Sequence, residues 1–457
     1  MTKNNRFSYL FILLALFVAA YIFRPVLPID ETRYLTVAWE MFFRKTIAML
    51  SLNFEPYHHK PPLLFWAINA VWHVFGVSRW AAMIPIFIGA AAVLVLTEKL
   101  TALLYPARKD FAKIMPWMVL GAVSFIVYST LMMFDTIVAA FVLGALYLFL
   151  RYCQTPTKIW PIILCGLCVG LGVLTKGPVL LLYVFIPILL QPFWKIETLV
   201  LTKTQYFKAL GVILAVGLVV VSLWLIPLIQ EADGHFLYWL LWEQTVGRIE
   251  GNFSSSHARP IYFYLMFLPA FSLPWLFFPS FWKGVLKTSV LTPPSRFLLS
   301  CVVPAFICFS FISGKQPHYL VPLMPFLLIF IGQFIYTGNA KKILMTSLTM
   351  ILVVIVGQGV ASQTIFKNYD LNPIIDFYQS HKDADYAYIN KYQGEFGFLG
   401  RIEKHIDVIE YNKVSVWLDE HPNGYIIMRY AALEMLDGYR VHLSIPYRSK
   451  DLAIITK

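Results

Sequence analysis

Asp30-Glu31-Thr32-Arg33-Tyr34 sets two adjacent carboxylates and an arginine directly after an apolar run, residues 10–27. That run is long enough to cross a bilayer as a helix. The charges therefore fall at a membrane surface. A helix start would account for them without function, with Asp30 as an N-cap or first-turn acid and Arg33 as its neighbour's partner. Other chemistry-bearing residues fall on the same expected face, several at the mouths of apolar runs: Lys60, Asp135, Lys176, Arg248, His257, Arg259, Lys315 and His318. Charges at such depth are costly unless paired, which makes them functional candidates. Lys and Arg suit an anionic group such as a phosphate, and Asp suits a hydroxyl proton or sugar hydroxyls. The plain alternative is a set of interfacial anchors whose heads snorkel to water. That suits Arg44, Lys45 and Arg79. It suits Lys176 less well, because Thr175-Lys176-Gly177-Pro178 is pinched between two apolar runs.

The elements that must position these residues are membrane helices. The chain has 457 residues, 59% hydrophobic and 14% charged, where a soluble domain carries about 25% charge. The formal net charge of +12 sits mostly in short loops between apolar runs, which is a topology signal. It forms no basic patch interleaved with aromatics, so nucleic acid is not an expected partner. Cys153, Cys165, Cys168, Cys301 and Cys308 lie in or beside apolar runs and read as small hydrophobes. No A-x-A-like cleavage site follows the first run, which is expected to be a retained anchor.

The fold class expected is an α-helical polytopic membrane protein with about eleven spans, eleven to thirteen depending on breaks at Pro, and a small C-terminal α/β domain. The basic start, Lys3 and Arg6, points to a cytoplasmic N-terminus. Asp30 and the residues above then share the external, periplasmic face. Residues 1–365 form the membrane domain, in which residues 28–79 are a first external loop of surface-lying helices, rich in Trp, His and Pro. From residue 366 onward charges return. Short strand-like runs at 386–389, 406–410 and 424–429 alternate with helical segments at 374–380, 395–404 and 414–420, and 441–455 adds one or two strands.

Five motifs in order carry a family resemblance: Asp30-Glu31-Thr32-Arg33-Tyr34, His59-Lys60-Pro61, Phe134-Asp135, Leu174-Thr175-Lys176-Gly177, and Gly314-Lys315 followed by Tyr319 and Pro322. Through them the whole chain resembles the C-type membrane glycosyltransferases that use polyprenyl-phosphate sugars, in particular the lipid A aminoarabinose transferases and their relatives near the protein O-mannosyltransferases. The resemblance implies that Asp30, Lys60 and Asp135 are catalytic, with Lys60 meeting the donor phosphate. It implies substrate-binding roles for Glu31, Arg33, Tyr34, His59, Lys176, Lys315, His318 and Tyr319, and Arg248, His257 and Arg259 on the same expected face complete the substrate-binding set. The aminoarabinose transferases carry Glu where this chain has His59, and this chain has His318 inside the Gly-Lys motif.

The implied reaction moves a sugar from a polyprenyl (undecaprenyl) phosphate to an envelope acceptor, lipid A or lipopolysaccharide, at the periplasmic face of a bacterial inner membrane. Positive charge beside the leaving phosphate stabilises it. Asp30 would be the base for a hydroxyl acceptor. For a phosphate acceptor it would orient substrate instead. No nucleotide-sugar motif is read in the sequence, in keeping with a lipid-linked donor, and no cofactor is expected to be required. A divalent cation held by His59 and His318 is the one metal contact considered. The competing functions are protein O-glycosylation, a transporter or flippase of lipid-linked sugars, and a binding or scaffold protein. Transporters place polar groups near the midplane, often in repeats, whereas here they gather at one face.

Overall fold

Apolar runs bounded by Lys, Arg, Pro and Gly become helices because a backbone in hydrocarbon must satisfy its own hydrogen bonds. The computed structural model describes residues 7–240, 242, 259–287, 291–338 and 340–457. Six described helical segments are long and apolar enough to cross a membrane: Arg79–Leu104, Asp135–Gln154, Lys203–Glu231, Pro293–Phe311, Pro317–Ile335 and Ala340–Gln363. A seventh is the pair Lys109–Leu120 and Val123–Thr130, bent by 64°. Shorter apolar helices occupy Ser8–Phe23, Leu63–Phe75, Trp160–Lys176, Val179–Leu189 and Phe263–Ser272. About eleven spans were expected, several of them short, and some of these apolar helices are cut short by Pro and Gly, as at Gly177-Pro178 after Lys176.

In chain order the helices that matter for the site are α1 (Ser8–Phe23), α2 (Asp30–Arg44), α3 (Leu63–Phe75), α4 (Arg79–Leu104), α5 (Lys109–Leu120), α6 (Val123–Thr130), α7 (Asp135–Gln154), α8 (Trp160–Lys176) and α9 (Val179–Leu189). The chain divides into two compact units. One gathers residues up to Phe17, His58–Leu64 and Met83–Val354; the other gathers Val18–Tyr57, Phe65–Ala82 and Ile355–Lys457.

In the first unit α7 and α8 pack side by side, and α8 packs in turn on the helix Lys203–Glu231. Gly166 and Gly170 permit that second contact. A Cβ at either would lie 2.7 Å and 2.6 Å from the Cβ atoms of Val216 and Val220. Small residues four apart let membrane helices approach closely. The bend between α5 and α6 is joined by Gly121 and Ala122.

The second unit is built on a five-stranded sheet of order β4-β3-β5-β7-β6, with β3 (Tyr386–Ile389), β4 (Asp407–Ile409), β5 (Tyr425–Tyr430), β6 (Arg440–Tyr447) and β7 (Lys450–Thr456). β3 runs parallel to β4 and β5, and the β6–β7 hairpin closes antiparallel on β5. Alternate residues feed opposite faces, as the strand period demands. Tyr386, Tyr388, Ile427 and Ile454 pack with the helix Asn372–Ser380 on one side. Ala387, Ile389, Ile426 and Ile455 pack with Trp417 and Leu418 on the other.

Helix α2 belongs to this same unit, together with a two-stranded ribbon, β1 (Ser51–Leu52) and β2 (Glu55–Pro56). Within residues 28–79, expected as an external loop of surface-lying helices, α2 buries ten residues, Glu31, Thr32 and the run from Tyr34 to Met41. One of its faces, Arg33, Thr36 and Glu40, follows the i, i+3, i+7 spacing of neighbours on a helix. Gly397 fits beside Thr36 only because it lacks a side chain, since a Cβ there would lie 2.3 Å from Thr36 Cγ2.

Candidate functional site

In the second unit, Asp30 and Glu31 occupy the first turn of α2, where the helix end favours negative charge. The two carboxylates face different partners. Glu31 is 4% exposed, pairs with Arg24 at 3.0 Å and accepts the Leu27 N–H at 2.9 Å. Asp30 keeps a side chain 43% exposed. Its Oδ1 accepts Arg33 Nη2 at 2.5 Å and the Tyr34 hydroxyl at 3.2 Å. The other arm of Arg33, Nη1, donates to Gln393 Oε1 at 3.0 Å. Burial works against the Arg33 charge, but Tyr57, Tyr34 and Asp30 more than offset it and its pKa is raised. Asp30, Arg33 and Tyr34 thus form one hydrogen-bonded group with an accessible carboxylate.

Further along the same face, Glu40 accepts the backbone N–H groups of Asn53 at 2.6 Å and Phe54 at 2.9 Å. Burial pushes its carboxyl above the usual range, and the hydrogen bonds only partly offset this. Asn53 in turn bonds both backbone groups of Ile406, its Nδ2 donating to the carbonyl and its Oδ1 accepting the N–H.

In the first unit, Asp135 opens α7 and Lys176 is the last residue of α8. Each helix end favours the charge it carries. The two form an ion pair with side chains 3% and 8% exposed. Lys176 Nζ also lies 4.5 Å from the ring centroid of Tyr319, a cation–π distance. Tyr319 is held by its own carbonyl, which accepts the Tyr183 hydroxyl at 2.8 Å. Asp135 and Lys176 are therefore brought together as a buried pair at the ends of apolar helices, with the half-buried Tyr319 ring against the lysine.

The neighbouring loop carries Lys315, 4% exposed, whose Nζ donates to the Arg259 carbonyl at 2.8 Å. Burial lowers its pKa. The Arg259 N–H donates to the Ser313 carbonyl at 3.3 Å, and its guanidinium lies 5.9 Å from the Phe263 ring. The Gln316 N–H donates to the Tyr264 hydroxyl at 3.2 Å.

Lys60 sits half-buried on the loop before α3, next to His58 and His59. The His58 ring presses on Trp239 at a centroid distance of 3.5 Å, and burial lowers its pKa to about 4. His59 lies 4.6 Å from His58 and 5.8 Å from Trp239, ring to ring. His318 packs on Tyr319 at 4.9 Å. Among the described residues no group of three or more His, Cys, Asp or Glu is placed to hold a metal ion, so His59 and His318 gain no third such ligand. Arg248 and His257 lie outside the described residues.

Tyr183, Tyr264, Glu40 and Gln393 were not among the residues expected. The two tyrosines stand inside apolar runs, and Gln393 stands in a polar loop far along the chain, where nothing in the sequence distinguishes them.

The fold and parts of the sequence have known counterparts. A family model described as dolichyl-phosphate-mannose-protein mannosyltransferase matches residues 59–226. The undecaprenyl phosphate-alpha-4-amino-4-deoxy-L-arabinose arabinosyl transferase of Yersinia enterocolitica is 29% identical over 305 residues, 65% of this chain and 52% of that protein. Transferase 2 of the same description from Proteus mirabilis is 26% identical over 339 residues, 70% of this chain and 58% of that one. The chain thus spans little more than half the length of these curated relatives. The crystal structure of ArnT from Cupriavidus metallidurans bound to undecaprenyl phosphate shares the fold, with a TM-score of 0.78, 15% identity and coverage of 99% of this chain and 98% of that one. Its apo form gives a TM-score of 0.76 at 16% identity, over 96% and 97%. In sequence over much of its length and in fold over nearly all of it, the chain resembles the C-type membrane glycosyltransferases that use polyprenyl-phosphate sugars.

Proposed function

We propose that this chain is a glycosyltransferase that moves a sugar from undecaprenyl phosphate, or a similar polyprenyl phosphate, to an envelope acceptor, lipid A or lipopolysaccharide. The observation that carries this reading is the buried Asp135–Lys176 pair at the ends of apolar helices, with Tyr319 against the lysine. Charges held there are functional candidates by default, and the relatives named above are transferases of an undecaprenyl-phosphate sugar.

In this reading the donor's phosphate leaves while the acceptor attacks the anomeric carbon. Lys60 meets that phosphate, and Lys176, Arg248, Arg259 and Lys315 add positive charge, an electrostatic contribution that grows as the anion departs. Asp30 takes the proton of a hydroxyl acceptor. A phosphate acceptor is already ionised, and Asp30 then orients it. Asp135 fixes Lys176. Glu31, Arg33, Tyr34, His59, His257, His318 and Tyr319 shape the remainder of the site. Residues 1–365 form the membrane domain, with 28–79 as its first periplasmic loop, and 366–457 form a periplasmic domain. The N-terminus is cytoplasmic and the membrane is the bacterial inner membrane.

Mass spectrometry of lipid A from strains with and without the gene tests this directly. A glycan present only with the gene is expected, and purified protein should transfer it from a polyprenyl-phosphate sugar. A reporter active only in the periplasm, fused after Lys457, should work; a cytoplasmic signal would break the assignment of all these residues to one face. A second reading, protein O-glycosylation, draws on the mannosyltransferase family match over residues 59–226. Unchanged lipid A together with lost glycopeptides would favour it.

A further inference from the structure

The accessible carboxylate Asp30 is held by Arg33, and Arg33 is held by a residue 360 positions further along the chain. The guanidinium spends one Nη on Asp30 and the other on Gln393, while its Nε is buried with no hydrogen-bond partner. A planar fork bonded at both Nη groups cannot rotate without breaking one of them. With Gln393 removed, the guanidinium would keep as a hydrogen-bond partner only the carboxylate it is meant to orient, beside its contact with the Tyr34 ring.

Gln393 is itself gripped on both sides. Its N–H donates to Glu395 Oε2 at 2.7 Å, and Glu395 is 4% exposed. Thr36, one turn beyond Arg33 on α2, donates its hydroxyl to the Gly394 carbonyl at 2.7 Å and accepts the Phe398 N–H at 2.9 Å. Trp39 Nε1 donates to the Ile402 carbonyl at 2.8 Å, continuing the seam. The loop after β3 is thus stitched to α2 at Arg33, Thr36 and Trp39, and Gln393 is its contact closest to Asp30. None of these bonds is explained by the sheet's own core.

We infer that Gln393 is a positioning residue for transfer: it fixes the Arg33 guanidinium, which presents the Asp30 carboxylate in one orientation. This rests on the role given to Asp30 above. Gln393→Ala should lower kcat on the order of tenfold and leave the donor KM within about twofold, because a bond to a charged group is lost away from the donor. Gln393→Glu keeps an acceptor at the same place and should retain most of the rate. Arg33→Lys holds Asp30 but cannot bridge to Gln393. It should fall by a similar factor, and Gln393→Ala combined with Arg33→Lys should be no slower than the slower single variant.

Hydrogen exchange over residues 30–36 reads the geometry without turnover. It should speed up about fivefold in Gln393→Ala and stay at the parent level in Gln393→Glu. Parent kcat in Gln393→Ala, unchanged exchange in that variant, or multiplying losses in the double variant would each overturn the inference. Asp30→Asn transferring at the parent rate would strike the role given to Asp30, and the inference with it, even where the exchange result holds.

Discussion

Removing Lys176 should damage this protein in two separable ways. Its side chain and that of Asp135 are 8% and 3% exposed, so the pair is buried. Breaking a buried pair from one side leaves an uncompensated charge and costs about 3–5 kcal/mol. The leftover charge here still enjoys a favourable helix end, worth about 0.3–1 kcal/mol, because Asp135 opens α7 and Lys176 closes α8. Lys176→Ala and Asp135→Ala should therefore sit near the low end, about 3 kcal/mol. Asp135→Asn combined with Lys176→Gln removes both charges while keeping a donor and an acceptor. It should recover to within about 1 kcal/mol of the parent, since a buried pair and a matched neutral pair differ little. Sugar transfer should not recover. Loss of one positioned donor to a developing anion costs on the order of 10² to 10³ in rate. Unfolding in nanodiscs and turnover of a polyprenyl-phosphate sugar, measured on the same preparations, supply both numbers. A double variant as unstable as the singles would refute the isolated-pair account. A stable double variant with parent turnover would refute the catalytic one.

Four further outcomes can be measured. Lys60→Ala should lower kcat more than it weakens donor binding, because its contact strengthens as the phosphate departs; Asp30→Asn should cost on the order of 10² to 10⁴ with a hydroxyl acceptor and less with a phosphate acceptor; parent rates in both would reject the site. The His58 pKa is depressed to about 4 by burial, so the unfolded chain binds the extra proton first, and stability should fall as pH drops from about 6.5 towards 4; His58→Phe should flatten that slope in melts taken across the range. Gly397→Ala should destabilise by about 1–3 kcal/mol through overpacking against Thr36, detected as a lower melting midpoint, and a neutral result would mean that α2 yields.

Asp135 and Lys176 could each be named from the sequence because ionisable residues at the ends of apolar runs stand out. Their pairing could not, since alternating loops assign a side of the membrane but not a position around the bundle. The i, i+3 spacing of Asp30 and Arg33 made their contact readable, whereas Gln393 is 360 residues away and shares no local pattern with either. The strand at 386–389 was legible from its hydrophobic run and appears as β3. The burial of α2 was not, because its polar face looks solvated until Thr36 and Glu40 find backbone partners. The 64° break between α5 and α6 was not legible either, since apolar residues continue across it.

That break frees backbone groups in the middle of an apolar helix, and hydrocarbon offers them nothing. Neighbouring elements do. The Met118 carbonyl accepts Trp275 Nε1 at 3.0 Å and the Val123 N–H donates to the Leu273 carbonyl at 3.1 Å, while the Ser347 hydroxyl adds a 2.7 Å bond to the Trp117 carbonyl, which the Gly121 N–H also meets. Straightening the elbow would strand two outside partners at once, each in a medium where an unmatched polar group costs several kcal/mol. The joint is therefore a locked knuckle rather than a hinge. Under the proposed function, any motion that admits the donor has to pivot elsewhere, leaving α5, α6 and the segments carrying Leu273, Trp275 and Ser347 to move as one piece.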